Sequence, residues 1–342
     1  MRTPLFLTAL VLLVLSVLSV KCQAVVIDTV LVGDVGNQPD TRYGGSYGSV
    51  GYAYNIGKYE VTAGQYTDFL NAVARTDSYA LYNAYMADPV NNKGCNIQRS
   101  GTSGSYTYSV ASDWANRPVN FVNYWDACRF ANWLHNGQPT GLQNELTTED
   151  GVYAINGYGY YGYDGRTIQR KAGWRWAITS EDEWYKAAYY KRHGQNAGYW
   201  DYPTQSNEAP SNVLGNPTDP GNNATFYGNG SYTIGSPYYR TEAGTHENSE
   251  SAYGTFDQGG NVMEWNEAIV DPDADHAPRG LRGGVYDLFG IELKASRRLD
   301  MLPTNYGPQF GFRITQAVPE PASLVILAGG LMSLLGIRRF RV

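Results

Sequence analysis

The chain has 342 residues with a formal net charge of −6, and only 17% of its residues are charged while 14% are aromatic. An acidic balance argues against nucleic acid as a partner, because phosphate recognition needs a basic face. With 29 Tyr and 39 Gly, the composition suits a loop-heavy domain packed by aromatic rings.

Met1 and Arg2 precede an apolar run from Leu5 to Val20, which is followed by Lys21-Cys22-Gln23-Ala24. A basic residue, an apolar stretch and a small residue at the cleavage point make a secretory leader. Residues 1–24 are therefore read as a signal peptide cleaved after Ala24. A retained anchor helix is the alternative, but the run is short for a bilayer span of about 20 residues. Cys22 is not read as lipid-modified, since the charged Lys21 stands where a small residue is needed.

From Tyr52 to Val61 the chain alternates as a strand does. Thr62 and Gln65 then form a capping box, and Tyr66, Phe69, Leu70 and Val73 fall at helical spacing. A second helix is expected from Asn123, with Tyr124, Ala127, Cys128, Ala131 and Leu134 on one side and Gly137 near its end. A third starts at Ser180, where Glu183 completes another capping box and Trp184, Ala187 and Ala188 face inward.

Gly157-Tyr158-Gly159-Tyr160-Tyr161-Gly162 satisfies a dinucleotide-binding pattern by spacing alone. No βαβ unit surrounds it and no helix opens there, so it reads as a loop or hairpin. Residues 196–253 are dense in turn formers, and so long a stretch needs local turns or bound ions to organise it. After Gly254 come short strand-like pieces that end in Phe310-Gly311-Phe312-Arg313-Ile314. Three helices among many short strands and long loops indicate an α+β domain over residues 25–317.

Beyond it stand Pro319-Glu320-Pro321, an apolar stretch from Ala322 to Ile337, and then Arg338, Arg339 and Arg341. Prolines end the preceding structure, the apolar stretch enters a membrane, and the arginines hold its cytoplasmic end. With both ends set aside the charge of −6 becomes −10, since five basic residues and one acidic residue go with them. That surplus is compatible with bound divalent cations. Only Cys95 and Cys128 remain in the domain. They could pair in an oxidising compartment or stay buried as thiols, and they lack zinc-ligand spacing to histidines.

Residues 318–342, ordered in this way, resemble the PEP-CTERM sorting signal of bacterial exported proteins. The resemblance implies an exosortase-type processing enzyme as a partner acting near the Pro-Glu-Pro motif; a permanent tail anchor is the alternative.

Six segments, in order, resemble the formylglycine-generating-enzyme (sulfatase-modifying factor) family. They are Ile56–Thr62, Arg117-Pro118-Val119 leading to Ala131–Leu134, Thr179–Ala188, Gly260–Trp265, Arg282-Gly283-Gly284 and Gly311-Phe312-Arg313. The resemblance implies a C-type-lectin-related fold with little regular structure and bound calcium. Carried onto this chain, the family's calcium ligands fall on Asp257, Gly260, Val262 and Glu264. Gly260 and Val262 would offer carbonyls and Glu264 a carboxylate, oxygen donors that suit a hard cation. The alternative is that Glu264 pairs with a buried arginine such as Arg313. A second family calcium site would involve Asn212 and Val213.

The family's oxidases carry a cysteine pair soon after Arg-Gly-Gly that binds copper(I), a soft metal suited by thiolates. Here Val285 to Arg298 contains no cysteine, so copper is not expected. A sister branch uses a three-histidine iron site with an extra helical domain. Here His135, His193, His246 and His276 lack helical metal-pair spacing, and that domain is absent. Ile178-Thr179-Ser180-Glu181 replaces the family's Leu-Pro-Thr-Glu segment. The expectation is an exported, non-catalytic, calcium-stabilised binding or matrix protein of the cell envelope or exterior, recognising a polysaccharide or protein. A formylglycine-generating-type oxidase or related sulfatase-maturation enzyme is the alternative.

Overall fold

The computed structural model describes residues 24–157, 165–215, 221–272 and 277–319. Residues 1–23 of the expected leader lie outside the described residues, and so do Glu320, Pro321, the apolar stretch, Arg338 and Arg339. Most of the glycine- and tyrosine-rich segment after Gly157 lies outside them too. Among the described residues no helix is long and apolar enough to cross a membrane.

Strand β1 (Thr29–Val32) pairs antiparallel with β2 (Tyr54–Gly57). The alternation had suggested a strand running to Val61, but β2 ends at Gly57. There the backbone lies against Arg313, and a Cβ on Gly57 would meet its side chain at 3.3 Å. Lys58 N–H still bonds Asp28 O, beside β1, but Val61 N–H turns to Phe312 O. Helix α1 (Ala63–Val73) starts at Thr62, whose hydroxyl accepts from Gln65 N–H while the Gln65 side chain accepts from Thr62 N–H. Tyr66, Phe69, Leu70 and Val73 are buried, as their helical spacing requires.

A hairpin, β3 (Gln98–Ser100) and β4 (Thr107–Ser109), precedes the single turn α2 (Ser112–Ala115). Helix α3 (Tyr124–His135) begins with a reciprocal box between Asn123 and Asp126. Every residue from Tyr124 to Leu134 is buried, so α3 is wrapped on all sides. Its polar side chains must therefore find partners inside the protein. Strand β5 (Trp176–Ile178) leads into α4 (Glu181–Tyr189), whose start is fixed by the Ser180–Glu183 box.

The stretch 196–253 is organised by isolated bridges and a small hairpin, β6 (Tyr227–Gly228) with β7 (Ser231–Tyr232). Five strands follow: β8 (Met263–Ile269), β9 (Arg279–Arg282), β10 (Leu299–Met301), β11 (Phe310–Phe312) and β12 (Ile314–Ala317). They complete two four-stranded sheets, ordered β1-β2-β12-β5 and β10-β9-β8-β11. Only the β8–β11 pairing in them is parallel. Arg313 sits between β11 and β12 and so reaches both sheets.

The main core lies between α1 and α3. Phe69 meets Phe130 edge-on with centroids 5.3 Å apart, and Phe130 meets Phe312 at 5.4 Å. Such ring pairs each add about 0.5–1.5 kcal/mol beyond area burial. A second core packs Trp184, Tyr185 and Tyr189 of α4 against Val32, Ile56, Tyr190 and Tyr199. The architecture is α+β with short helices and mostly loops between small sheets, as the sequence indicates.

Candidate functional site

The Arg282-Gly283-Gly284 turn closes β9. Gly283 and Gly284 have φ of 102° and 69°, which favour glycine, and a Cβ on Gly283 would lie 2.9 Å from Gln258 O. Arg282 Nε donates to Glu181 Oε1 at 2.8 Å, and Arg298 donates to both Glu181 oxygens. The segment that departs from the family pattern before α4 thus keeps a carboxylate joined to the glycine turn.

Beyond that turn the chain builds a seat for an ammonium group. Lys93 Nζ stands 5.6, 5.1 and 5.2 Å from the ring centroids of Tyr232, Tyr239 and Tyr286, and 3.2 Å from Asp287 Oδ2. Arg240 holds the Lys93 and Gly94 carbonyls from behind at 2.9 and 3.0 Å. The face next to this seat exposes Leu288, Phe289 and Ile291. The sequence singles out the segment from Val285 to Arg298, which contains Tyr286, but not Lys93, which lies far earlier in the chain.

Both cysteines are free and buried, in different surroundings. Burial raises the Cys95 thiol pKa, with Asn120 and Arg240 beside it. Burial raises that of Cys128 as well, between Arg279 and Tyr124. Neither is poised as a thiolate, the form that ligates soft metals and attacks electrophiles. His135 Nδ1 accepts from Arg175 N–H, and His246 Nε2 meets Thr225 Oγ1, so these two imidazoles serve separate structural contacts. Among the described residues, no group of three or more His, Cys, Asp or Glu is arranged to hold a metal.

Glu264, on β8, is fully buried. It accepts from Arg313 Nε at 3.0 and 3.2 Å, from Arg313 Nη2 at 2.8 Å and from Trp184 Nε1 at 2.6 Å. As placed, Glu264 offers calcium no free carboxylate oxygen, and the pairing with Arg313 weighed in the sequence is the arrangement present. Asp257 has φ of 60° and accepts from Gly244 N–H at 2.7 Å. Gly260, with φ of 94°, lies so close to Thr225 that a Cβ would meet its carbonyl oxygen at 2.1 Å. Val262 packs beneath Gly311.

Sequence reasoning missed Glu60, although it stands within the first family segment. Both its carboxylate oxygens are buried without a hydrogen-bond partner. Burial and then the neighbouring Asp257 push its carboxyl well above the usual range. Asp257 is raised too, by burial. Asn212 lies apart from this cluster; its amide donates to Gly228 O and Ser231 O at 3.0 Å and so pins the β6–β7 hairpin. Val213 is exposed.

Among the described residues, a buried carboxylate–arginine cluster under a glycine-rich turn is carried by small sheets and four short helices joined by long loops, a loop-rich α+β domain. The chain belongs to the family of the Sulfatase-modifying factor enzyme 1-like domain, which it matches over residues 38–318. No curated protein matches it. Among similar solved structures, CarF has 18% identity and a TM-score of 0.46, over 86% of this chain and 99% of that one. Treponema denticola variable protein 1 has 16% identity and a TM-score of 0.48, over 87% and 97%. PvdO from Pseudomonas aeruginosa has 19% identity and a TM-score of 0.45, over 85% and 91%.

Proposed function

We propose that this chain is an exported, non-catalytic recognition domain of its family. It would be displayed in the envelope or outside the cell and bind a polysaccharide or protein. The observation that carries this reading is the donor set after Arg282-Gly283-Gly284. Where the family's oxidases keep soft sulfur ligands, this chain has Tyr286 and Asp287 holding Lys93. An oxygen-activating copper(I) centre needs thiolates, and a tyrosine–carboxylate seat supplies none.

Export by residues 1–24 and sorting by an exosortase-type enzyme near Pro319-Glu320-Pro321 belong to the same reading, and they rest on the residue patterns of the two ends. Calcium belongs to it at Asp257, Gly260 and Val262, on condition that Glu264 gives up Arg313 when the ion binds. Asn212 and Val213 would serve the second ion.

The test is metal analysis of the purified protein, followed by incubation with a cysteine peptide from a sulfatase under oxygen. The expected result is no stoichiometric copper after reconstitution and no oxygen consumption. Bound copper with turnover of the peptide would overturn the reading in favour of an oxidase. Mass spectrometry of the exported protein reads the tail, where loss of mass near Pro319 supports sorting and an intact terminus refutes it.

A further inference from the structure

Away from the glycine turn, a cavity of about 470 Å³ opens between the 79–85 loop, the start of α3 and residues Thr304 and Tyr306. Its rim carries Tyr85 and Tyr306, 49% and 50% exposed, and Phe121 backs Tyr85 with ring centroids 5.6 Å apart. Asp126 lines the same cavity and is only 3% exposed. One of its oxygens, Oδ2, accepts the N–H of Asn123 in the helix cap; the other, Oδ1, is buried with no partner.

The nearby cations are committed elsewhere. Arg129 also lines the cavity, but its Nε and Nη2 grip Glu149 at 2.7 and 2.9 Å. Its guanidinium lies 4.5 Å over Tyr79, just as Arg99 lies 4.6 Å over Tyr82. The cavity therefore presents the half-exposed rings of Tyr85 and Tyr306 above a buried carboxyl oxygen that has no hydrogen-bond partner. Burial pushes Asp126 up to about 8, against the Asn123 N–H and the Arg129 charge, with Asp77 and Glu149 adding to the rise.

We propose that this cavity is a seat for a primary ammonium group, such as the side chain of a lysine on a partner protein. It would hold the group between the faces of Tyr85 and Tyr306 and Asp126 Oδ1. Aromatic faces attract cations through their quadrupole, and Asp126, protonated in the empty cavity at neutral pH, completes the seat by releasing its proton as the ammonium enters, so binding strengthens as pH rises toward about 8. A neutral sugar brings no cation for the rim rings to attract, and calcium would find one free carboxylate oxygen where it needs six to eight ligands. The same protein already seats an ammonium this way, with Lys93 held by Tyr232, Tyr239, Tyr286 and Asp287.

The proposal deepens the recognition reading by giving its ligand a chemistry, and it rests on that reading. Calorimetric titration of the full protein with Nα-acetyl-lysine methylamide tests it, with the Nε-acetylated analogue and a neutral oligosaccharide as comparisons. The lysine probe is expected to bind and the other two are not. Asp126→Asn, which retains the acceptor for the helix cap, should weaken binding at least tenfold, and Tyr306→Ala, at the rim, severalfold. Equal binding of the acetylated probe, binding unaffected by both variants, binding of the sugar alone, or no binding of the lysine probe would each overturn the proposal. The recognition reading fails separately, on copper and oxygen consumption.

Discussion

Arg313 grips both carboxylate oxygens of Glu264 inside the protein, where neither side chain reaches solvent. The same guanidinium donates to Gly57 O at 2.9 Å and Phe256 O at 2.8 Å, so one residue ties the two sheets and the loop before β8 together. Removing one partner of such a pair leaves an uncompensated buried charge, which costs about 3–5 kcal/mol. Arg313→Met is expected to lose stability of that order in urea unfolding. A loss below about 1 kcal/mol would show that the pair does not anchor the fold.

The pairing also bears on the proposed calcium site. If the ion binds beside Asp257, saturating calcium raises the Tm of the native sequence by several degrees and leaves Asp257→Asn unmoved. Thermal scans with calcium and with chelator decide this, and identical curves for the native sequence would remove calcium from the reading.

Lys93 is held by three rings and one carboxylate while its side chain remains 27% exposed. Partial exposure keeps the contribution modest, on the order of 1–2 kcal/mol. Lys93→Met should lower stability by that amount, and Lys93→Arg should recover part of it through stacking. Chemical denaturation of the three proteins side by side reads the effect.

Asp126 predicts a pH dependence of opposite sign to that of a salt-bridged carboxylate. Its pKa is about 8 in the folded chain against an ordinary 3.8, so the fold holds the proton more firmly than the unfolded chain does. The contribution to stability is fully present below the ordinary value and is lost as pH rises through about 8. Asp126→Asn should therefore gain relative to the native sequence across that window, by at most about 1.4 kcal/mol per pH unit. Unfolding midpoints measured from about pH 5 to pH 9 check the slope, and parallel profiles would contradict the assignment.

Because burial raises both thiols, Cys95 and Cys128 should be inert to a thiol reagent in the native protein and react on unfolding. Fast labelling of either in native buffer, read by peptide mass spectrometry, would contradict their burial.

Much of the fold was legible because its signals are local. Thr62 with Gln65 and Ser180 with Glu183 each announce a helix start within four residues, and both boxes form; the start of α3 is read from its apolar spacing, and its Asn123–Asp126 box emerges only in the structure. The family segments likewise placed the glycine turn and the β8 strand. The four-residue α2 was not legible, because it has no side-chain cap. Nor was the early end of β2, where the Gly57 carbonyl accepts from Arg313, a residue from the far end of the chain.

The amino-acid order by itself determined where α1, α3 and α4 start, the α+β class and the absence of cysteine between Val285 and Arg298, because each depends on neighbours in the chain or on residue identity alone. Only the tertiary structure decided that Glu264 faces Arg313, that Lys93 reaches Asp287, and that Asp126 is left with one oxygen unmet. Those outcomes depend on which charges meet when distant segments pack in a low-dielectric interior. No spacing along the chain specifies that meeting.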